Sequence, residues 1–474
     1  MNPTQPDPRR WWALVLLCTA NFMVILDAQV VILALPKIAE GLQLSPGAAQ
    51  WVLSANLMTF GGLLLLGGRA ADLLGRRRMF FAGTLLFLLV SLASGFAGNG
   101  EVLIAARALH GVSAALMAPT ALSLLTAMFP EGRERHLALA GWAGIAGIGA
   151  TVGLLIGGWL TSDFGWPGVF FVNVPVALLM LAAIPVLLRE SRDVRAGRTY
   201  DVAGALTSTA ALVLVVYALV TAPSAGWLSG TTIGATAGAL VLAVLFVVIE
   251  SRSSAPLLPL KLLRSPSLLG GNLAMVTMGM CAFGMSLAIA QYTQGPLGYT
   301  PLEFGVRQSI MPLMAFAGSY AGQSFITRYG FRPVASICLV LLGVGSLLLA
   351  RAVVGGGSYG ALFAGLFIFG TGLGLGTVAA SAAALAGVAQ RDLGLASGLN
   401  TAAQQIGGGL GVAVVATVLV SFSVGTSPAA AMTAGFRSAF TACAIFAATG
   451  LVIAVTLLRG RRQAPAGLVA VPRP

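Results

Sequence analysis

The sequence is poor in charge. Asp, Glu, Lys and Arg make up only 9% of its 474 residues, against about 25% in an ordinary soluble domain. Hydrophobic residues make up 57%, with a mean hydropathy of +0.92, which excludes a water-soluble globular fold. Histidine is almost missing, with only His110 and His136. Each of the four cysteines, Cys18, Cys281, Cys338 and Cys443, stands alone in an apolar stretch. They read as small core residues and not as a disulfide or metal framework. Polytopic membrane enzymes need clustered acids, histidine pairs or metal ligands within their helices, and no such cluster occurs, so no enzyme and no metal site is expected. A Walker-type glycine loop is missing, which argues against ATP as the energy source. No pore loop or ring of charge suggests a channel.

What remains is a succession of long apolar runs. A helix needs ~20 apolar residues to cross a bilayer, and fourteen stretches reach that length: 12–35, 48–68, 79–97, 102–128, 137–161, 168–188, 202–221, 231–250, 267–291, 303–327, 334–352, 359–386, 394–421 and 436–458. The first is too long for a signal-peptide core and reads as a retained helix. The net charge of +13 is concentrated in alternate loops and at both ends, as at Arg9-Arg10, Arg76-Arg77-Arg78, Arg133/Arg135, Arg189 to Arg198 and Arg459/Arg461/Arg462. That alternation is the positive-inside pattern. It makes the basic loops and both termini cytoplasmic and implies no nucleic-acid partner. The expected fold is an all-α integral membrane protein in the inner or plasma membrane.

The longest polar stretches, 189–201 and 251–266, bracket the seventh and eighth spans. This divides the chain into a six-helix bundle (1–188), a two-helix hairpin with cytoplasmic flanks (189–266), and a second six-helix bundle with a cytoplasmic tail (267–474). A weak repeat supports the division. Gly67-Gly68-Arg69-Ala70-Ala71-Asp72-Leu73-Leu74-Gly75-Arg76 follows the second span, and Gly322-Gln323-Ser324-Phe325-Ile326-Thr327-Arg328-Tyr329-Gly330-Phe331-Arg332 follows the second span of the last six. Duplicated bundles with a site between them mark secondary transporters.

Two full charges lie clearly within the apolar runs, Asp27 and Arg107. Each costs at least ~2.5–3.5 kcal/mol to insert and belongs in a bundle interior or polar cavity. At ~1.5 Å per residue, Asp27 lies ~12 Å from the outer end of its helix and Arg107 ~9 Å from the outer end of its own. Two opposite charges at similar depth in one bundle can pair directly or through water. Burial favours a neutral acid and a neighbouring guanidinium favours the carboxylate, so a moving arginine would switch the acid between holding and releasing a proton. Arginine itself stays charged. His110 lies three residues after Arg107, on the same helix face, and imidazole titrates near neutral pH. It is either a relay or a hydrogen-bonded packing residue.

Several segments together resemble the major facilitator superfamily, and more narrowly its fourteen-helix drug:proton antiporter branch, over essentially the whole chain. Gly68 to Arg78 resembles the loop motif between the second and third helices. Leu26-Asp27 through Ala34-Leu35-Pro36 resembles the first-helix motif of the branch, with Gln29 and Ile32 in place of the usual Thr and Asn. Arg107-Ala108-Leu109-His110-Gly111 resembles the fourth-helix motif, with His110 where Gln is usual. Gly149, Gly153, Gly157 and Gly158 resemble the fifth-helix antiporter motif, with Leu154 in place of its Pro. Asn400-Thr401 with Gln404-Gln405 and Gly407-Gly408 is similar to the thirteenth helix of the branch.

The resemblance implies two six-helix bundles plus two extra helices working by alternating access. It also implies proton coupling through Asp27, Arg107 and His110, and a cytoplasmic latch built from Gly68, Asp72, Gly75 and Arg76. The partners expected are a small amphipathic substrate, protons and the lipid bilayer, with the proton motive force in place of a cofactor and a monomeric state. The substrate is expected to be a monovalent cationic or neutral lipophile. Its polar contacts are expected from Asn21, Asn56, Gln291, Gln294, Asn400, Gln404 and Gln405, with soft methionine surface such as Met275, Met278 and Met311 beside them. A proton-coupled transporter of another small metabolite, importer or exporter, is the second reading.

Overall fold

The computed structural model describes residues 9–129, 133–190, 201–253, 256, 265–354, 359–388, 393–422 and 428–458. Most of the two polar brackets, the C-terminal tail from 459 and the side chain of His136 therefore lie outside the described residues. Among the described residues every regular element is a helix. The first group comprises α1 (Arg10–Gly41), α2 (Pro46–Leu74), α3 (Arg76–Gly95), α4 (Gly100–Met128), α5 (Arg133–Asp163), α6 (Gly168–Phe171) and α7 (Asn173–Leu187). A hairpin of α8 (Val202–Ala225) and α9 (Gly230–Arg252) follows. The last group is α10 (Pro266–Gln294), α11 (Pro301–Gln308), α12 (Ile310–Tyr329), α13 (Phe331–Val354), α14 (Tyr359–Leu385), α15 (Leu393–Phe422) and α16 (Pro428–Leu457).

The sequence places the helix starts. Ser45, Asn99, Ser229 and Ser265 each accept a backbone N–H of the first turn with their side chains, as helix N-caps do. Glu303 closes a capping box at the start of α11. Its Oε2 accepts the Thr300 N–H at 2.9 Å, and Thr300 Oγ1 accepts the Glu303 N–H at 3.2 Å. The Arg307 guanidinium lies 4.1 Å from the centre of the Tyr299 ring.

Among the described residues, twelve helices, α6 and α7 counting as one, are long and apolar enough to cross a membrane. The other two predicted spans are also helical but lie outside that set, so the count of fourteen is not confirmed. The region 303–327 is broken at Ser309 into α11 and α12, and α12 carries Ser319, Gln323, Ser324, Thr327 and Arg328. The helix α5 opens on Arg133-Glu134-Arg135 and is dense in glycine.

Helix pairing is repeated between the two groups. In the first, α1 packs on α5, α2 on α4 and α3 on α4. In the second, α10 packs on α15, α12 on α14 and α13 on α14. The groups meet along two seams, α2 with α15 and α5 with α11 and α12, and α8 lies against both α2 and α15 at the first seam. Glycines set these approaches. A β-carbon at Gly111 of α4 would collide with Thr59 Oγ1 and the Asn56 carbonyl of α2, and one at Gly407 with the Val276 carbonyl of α10. Small residues allow such close backbone contact in lipid.

Candidate functional site

The two embedded charges meet. Arg107 Nη1 donates to Asp27 Oδ2 at 2.7 Å, and both residues are almost wholly buried. The guanidinium also donates through Nε to the Val52 carbonyl of α2 at 3.2 Å. His110 Nδ1 stands 3.6 Å from the same carboxylate oxygen, while its Nε2 is 3.1 Å from Ser91 Oγ of α3. Asn173, at the start of α7, donates through Nδ2 to Asp27 Oδ1 at 3.3 Å and lies 3.5 Å from Ser91 Oγ. Asp27, His110, Ser91 and Asn173 thus form a ring from four helices that closes on both carboxylate oxygens. Phe87 seals one side, its ring edge-on to His110 at 4.7 Å. A buried pair needs such extra hydrogen bonds to offset the loss of water.

Ser91 and Asn173 escape sequence reading, because uncharged polar residues in apolar helices carry no strong signal. Their one mark is complete burial, which only packing reveals.

Beside this network, between the two helix groups, lies a cavity of about 590 Å³. Its polar lining is Gln29, Ser286, Ser319, Tyr320, Gln323, Thr377 and Gln404, and its apolar walls include Phe283, Met311, Phe316 and Leu373. No carboxylate or basic side chain is among the described lining residues. The lining residues Tyr320 and Gln323 are exposed and lie toward the Tyr329 end of α12, the end of the molecule at which α16 stops. The opposite end is shut by α11 against α5: a β-carbon at Gly158 would stand 2.8 Å from the Pro301 carbonyl, and Gly305 abuts the Leu154 carbonyl.

Of the predicted substrate contacts, only Gln404 lines this cavity. Gln291 and Gln294 line a different pocket at the shut end. Asn400 donates to Asn272 Oδ1 at 3.3 Å and accepts from Ser381 Oγ at 2.8 Å, forming a buried knot of α10, α14 and α15. Asn21 donates to the Trp142 carbonyl at 3.4 Å. Asn56 is buried on α2, and Gln405 is half-buried with its Cβ against Gly61, where α15 meets α2. Met275 and Met278 are core filler, leaving Met311 as the methionine of the cavity wall.

The fifth-helix glycines have a visible task. Gly149, Gly153 and Gly157 face α1 at successive turns: a β-carbon would stand 3.3 Å from Phe22 Cδ2 at the first, 3.0 Å from Gln29 Cβ at the second and 2.9 Å from Val30 Cγ1 at the third. Gly158 faces the other helix group instead. In the loop motif, Arg76 donates to Asp72 Oδ1 through Nε at 3.1 Å and Nη2 at 2.9 Å. Gly75 turns the chain at φ 111°, with Glu190 packed over it and accepting the Arg77 N–H at 3.1 Å. Gly68 lies against Pro119 of α4.

Two helix groups around an uncharged cavity, with a buried ion pair to one side, define a polytopic transport protein. A family model for the Major Facilitator Superfamily matches residues 17–250 and 268–473, and the chain belongs to that superfamily. It is 37% identical over 464 residues to the puromycin resistance protein pur8 of Streptomyces alboniger, covering 95% of this chain and 91% of that protein. It is 35% identical over 466 residues to the cephamycin export protein CmcT of Amycolatopsis lactamdurans, covering 97% and 95%. Among solved structures, a POT family transporter in complex with 5-aminolevulinic acid superposes with a TM-score of 0.70 at 15% identity, covering 94% of this chain and 96% of that one, a likeness of fold alone.

Proposed function

We propose that this protein exports an amphipathic drug or antibiotic across the cell membrane by alternating access, driven by protons re-entering through Asp27. The observation that carries the reading is the pairing of an uncharged, aromatic-walled cavity with a separate, dry Asp27–Arg107 pair. Relatives of similar length named for puromycin resistance and cephamycin export support the substrate class. With no acid among the described lining residues, a monovalent cation would rest on the ring faces of Phe283, Phe316 and Tyr320, and a neutral lipophile would meet only Gln, Ser and Thr.

In this reading the termini and basic loops are cytoplasmic, the cavity faces the cytoplasm, and α8–α9 is an accessory hairpin between bundles 1–188 and 267–474. The protein works as a monomer, without a cofactor. Arg107 and His110 set when Asp27 holds its proton. Gly68, Asp72, Gly75 and Arg76 latch the cytoplasmic side in the outward-facing state, when Asp72 leaves Arg76 for the start of α15. The test is puromycin accumulation in cells with and without the protein. Lower accumulation that a proton uncoupler restores to the control level is expected; no difference between the two cells would overturn the reading.

A further inference from the structure

The shut end of the molecule is not solid. A second cavity of about 370 Å³ lies there, again between the two helix groups, within the size range of small-molecule sites. Three carboxamides, Gln50, Gln291 and Gln294, project among apolar residues such as Leu35, Ala416 and Phe436, with no charged side chain among the described lining residues. Gln50 is only 4% exposed, and its Oε1 has no hydrogen-bond donor. A buried acceptor left unmade costs ~1–3 kcal/mol; this atom presents no surface to the cavity as it stands, so a turn of the carboxamide toward a ligand that brings an N–H or O–H would satisfy it.

The two cavities are separated by a dry plug. Residues 30–34 of α1 and 287–290 of α10 are all buried, and Gln294 Nε2 donates to the Leu33 carbonyl at 3.0 Å, tying the end of α10 to the plug. From Gln29 in the first cavity to Leu35 in the second, α1 rises only ~9 Å.

We propose that this second cavity is a ligand site in its own right, an exit-side station for an uncharged amphiphile whose N–H or O–H meets Gln50 Oε1. The role as an exit station rests on the export reading above; the site itself does not. Its recognition is by one hydrogen bond and apolar contact, without charge.

The test uses purified protein in nanodiscs, with Met432→Cys as reporter. Met432 lines the site and is 40% exposed, whereas Cys18, Cys281, Cys338 and Cys443 are all buried and give a quiet background to a membrane-impermeant maleimide. The probe is N-phenyl-1-naphthylamine, an uncharged amphiphile with one N–H, and its N-methyl analogue serves as the donor-free control. The naphthylamine is expected to protect the introduced thiol from labelling in a saturable way. Loss of the N–H, or Gln50→Leu, should weaken protection by roughly three- to tenfold, the range of one net hydrogen bond. Ala416→Phe, which fills the space, should abolish protection, and Gln404→Leu in the first cavity should leave it unchanged. Labelling unaffected by saturating probe would overturn the site, as would protection lost in Gln404→Leu and kept in Gln50→Leu. No proton gradient is involved, so a protein that exports nothing would still show protection, and active export without protection would sink this site alone.

Discussion

Removing one charge of the Asp27–Arg107 pair should cost more from one side than from the other. Both residues are at most 2% exposed and the bond is 2.7 Å long, so breaking the pair by losing one partner falls in the ~3–5 kcal/mol range of buried ion pairs. Asp27→Asn should reach that range, because the stranded guanidinium cannot give up its charge and keeps only the Val52 carbonyl and a neutral amide. Arg107→Leu should cost less, ~1–3 kcal/mol, because a stranded carboxyl can hold a proton and needs only hydrogen-bond partners, which Asn173 and His110 still offer. Asp27→Asn with Arg107→Leu leaves no unpaired charge and should be less destabilised than the sum of the singles by ~2–4 kcal/mol. Denaturant unfolding in detergent measures the three.

Vesicles with an imposed pH gradient measure the function. Under the proposed coupling, all three variants should fail at uphill transport of the exported substrate, whatever their stability. His110→Gln keeps a polar side chain beside Asp27 and should retain uphill transport with a shifted pH dependence. Two results would refute the reasoning: additive costs in the double variant, or full uphill transport by Asp27→Asn.

Other predictions follow from the same geometry. Asn173→Ala removes a hydrogen bond to a charged acceptor and should cost ~1.5–3 kcal/mol while shifting the pH dependence of transport; an unchanged pH profile would make Asn173 merely structural. Asp72→Asn should slow transport while leaving substrate affinity within about twofold, because the proposed latch alters state populations and not the cavity; equal losses in both would remove the latch. Gly157→Leu should drive α1 off α5, costing ~1–3 kcal/mol, and lower transport more than Gly157→Ala; equal transport by the two would exclude a role for close α1–α5 packing. Cysteines placed at 189–201 or 251–266 should resist an impermeant maleimide added outside intact cells, and labelling there would invert the topology.

Asp27 and Arg107 were legible in the sequence because a charge in an apolar run is too costly to be incidental, and similar depth in one bundle led to a pair. Their neighbours Ser91 and Asn173 were not, since neither carries such a cost. The substrate-lining residues were poorly legible for a related reason. A helix apolar all round does not announce which face meets lipid, bundle or cavity, so Gln291, Gln294 and Gln404 looked equivalent. Packing sends the first two to one cavity and the third to another. Gln29 was visible as a departure from the first-helix motif, and it proved to be the α1 contribution to the main cavity. The same limit applies to α12, where Ser319 and Gln323 line the cavity and, with Ser324 and Thr327, lower the apolar signal used to count spans.

The placement of Asp27 and Gln29 bears on how a proton could move a substrate. They are two residues apart on α1, so at about 100° per residue they point to nearly opposite faces. Asp27 faces the ion-pair network and Gln29 faces the cavity. The proposed proton site and the proposed substrate site therefore need not touch. A change in the Asp27–Arg107 bond must move α1 or α4. The helix α4 is pinned to α2, where Gly111 abuts the Asn56 carbonyl and Thr59 donates to the Ala108 carbonyl at 2.8 Å. By contrast, α1 rests on Gly149, Gly153 and Gly157 of α5, a face with no side chains at those positions to interlock with it. Of the two, α1 has the smoother bed, though its Asn21 hydrogen bond to the Trp142 carbonyl of α5 must break before it slides or turns. Any such motion displaces Gln29 in the cavity and Leu33 in the plug together. Protonation would then alter the substrate's surroundings and the barrier ahead of it in one step, through a single helix and without a shared ligand.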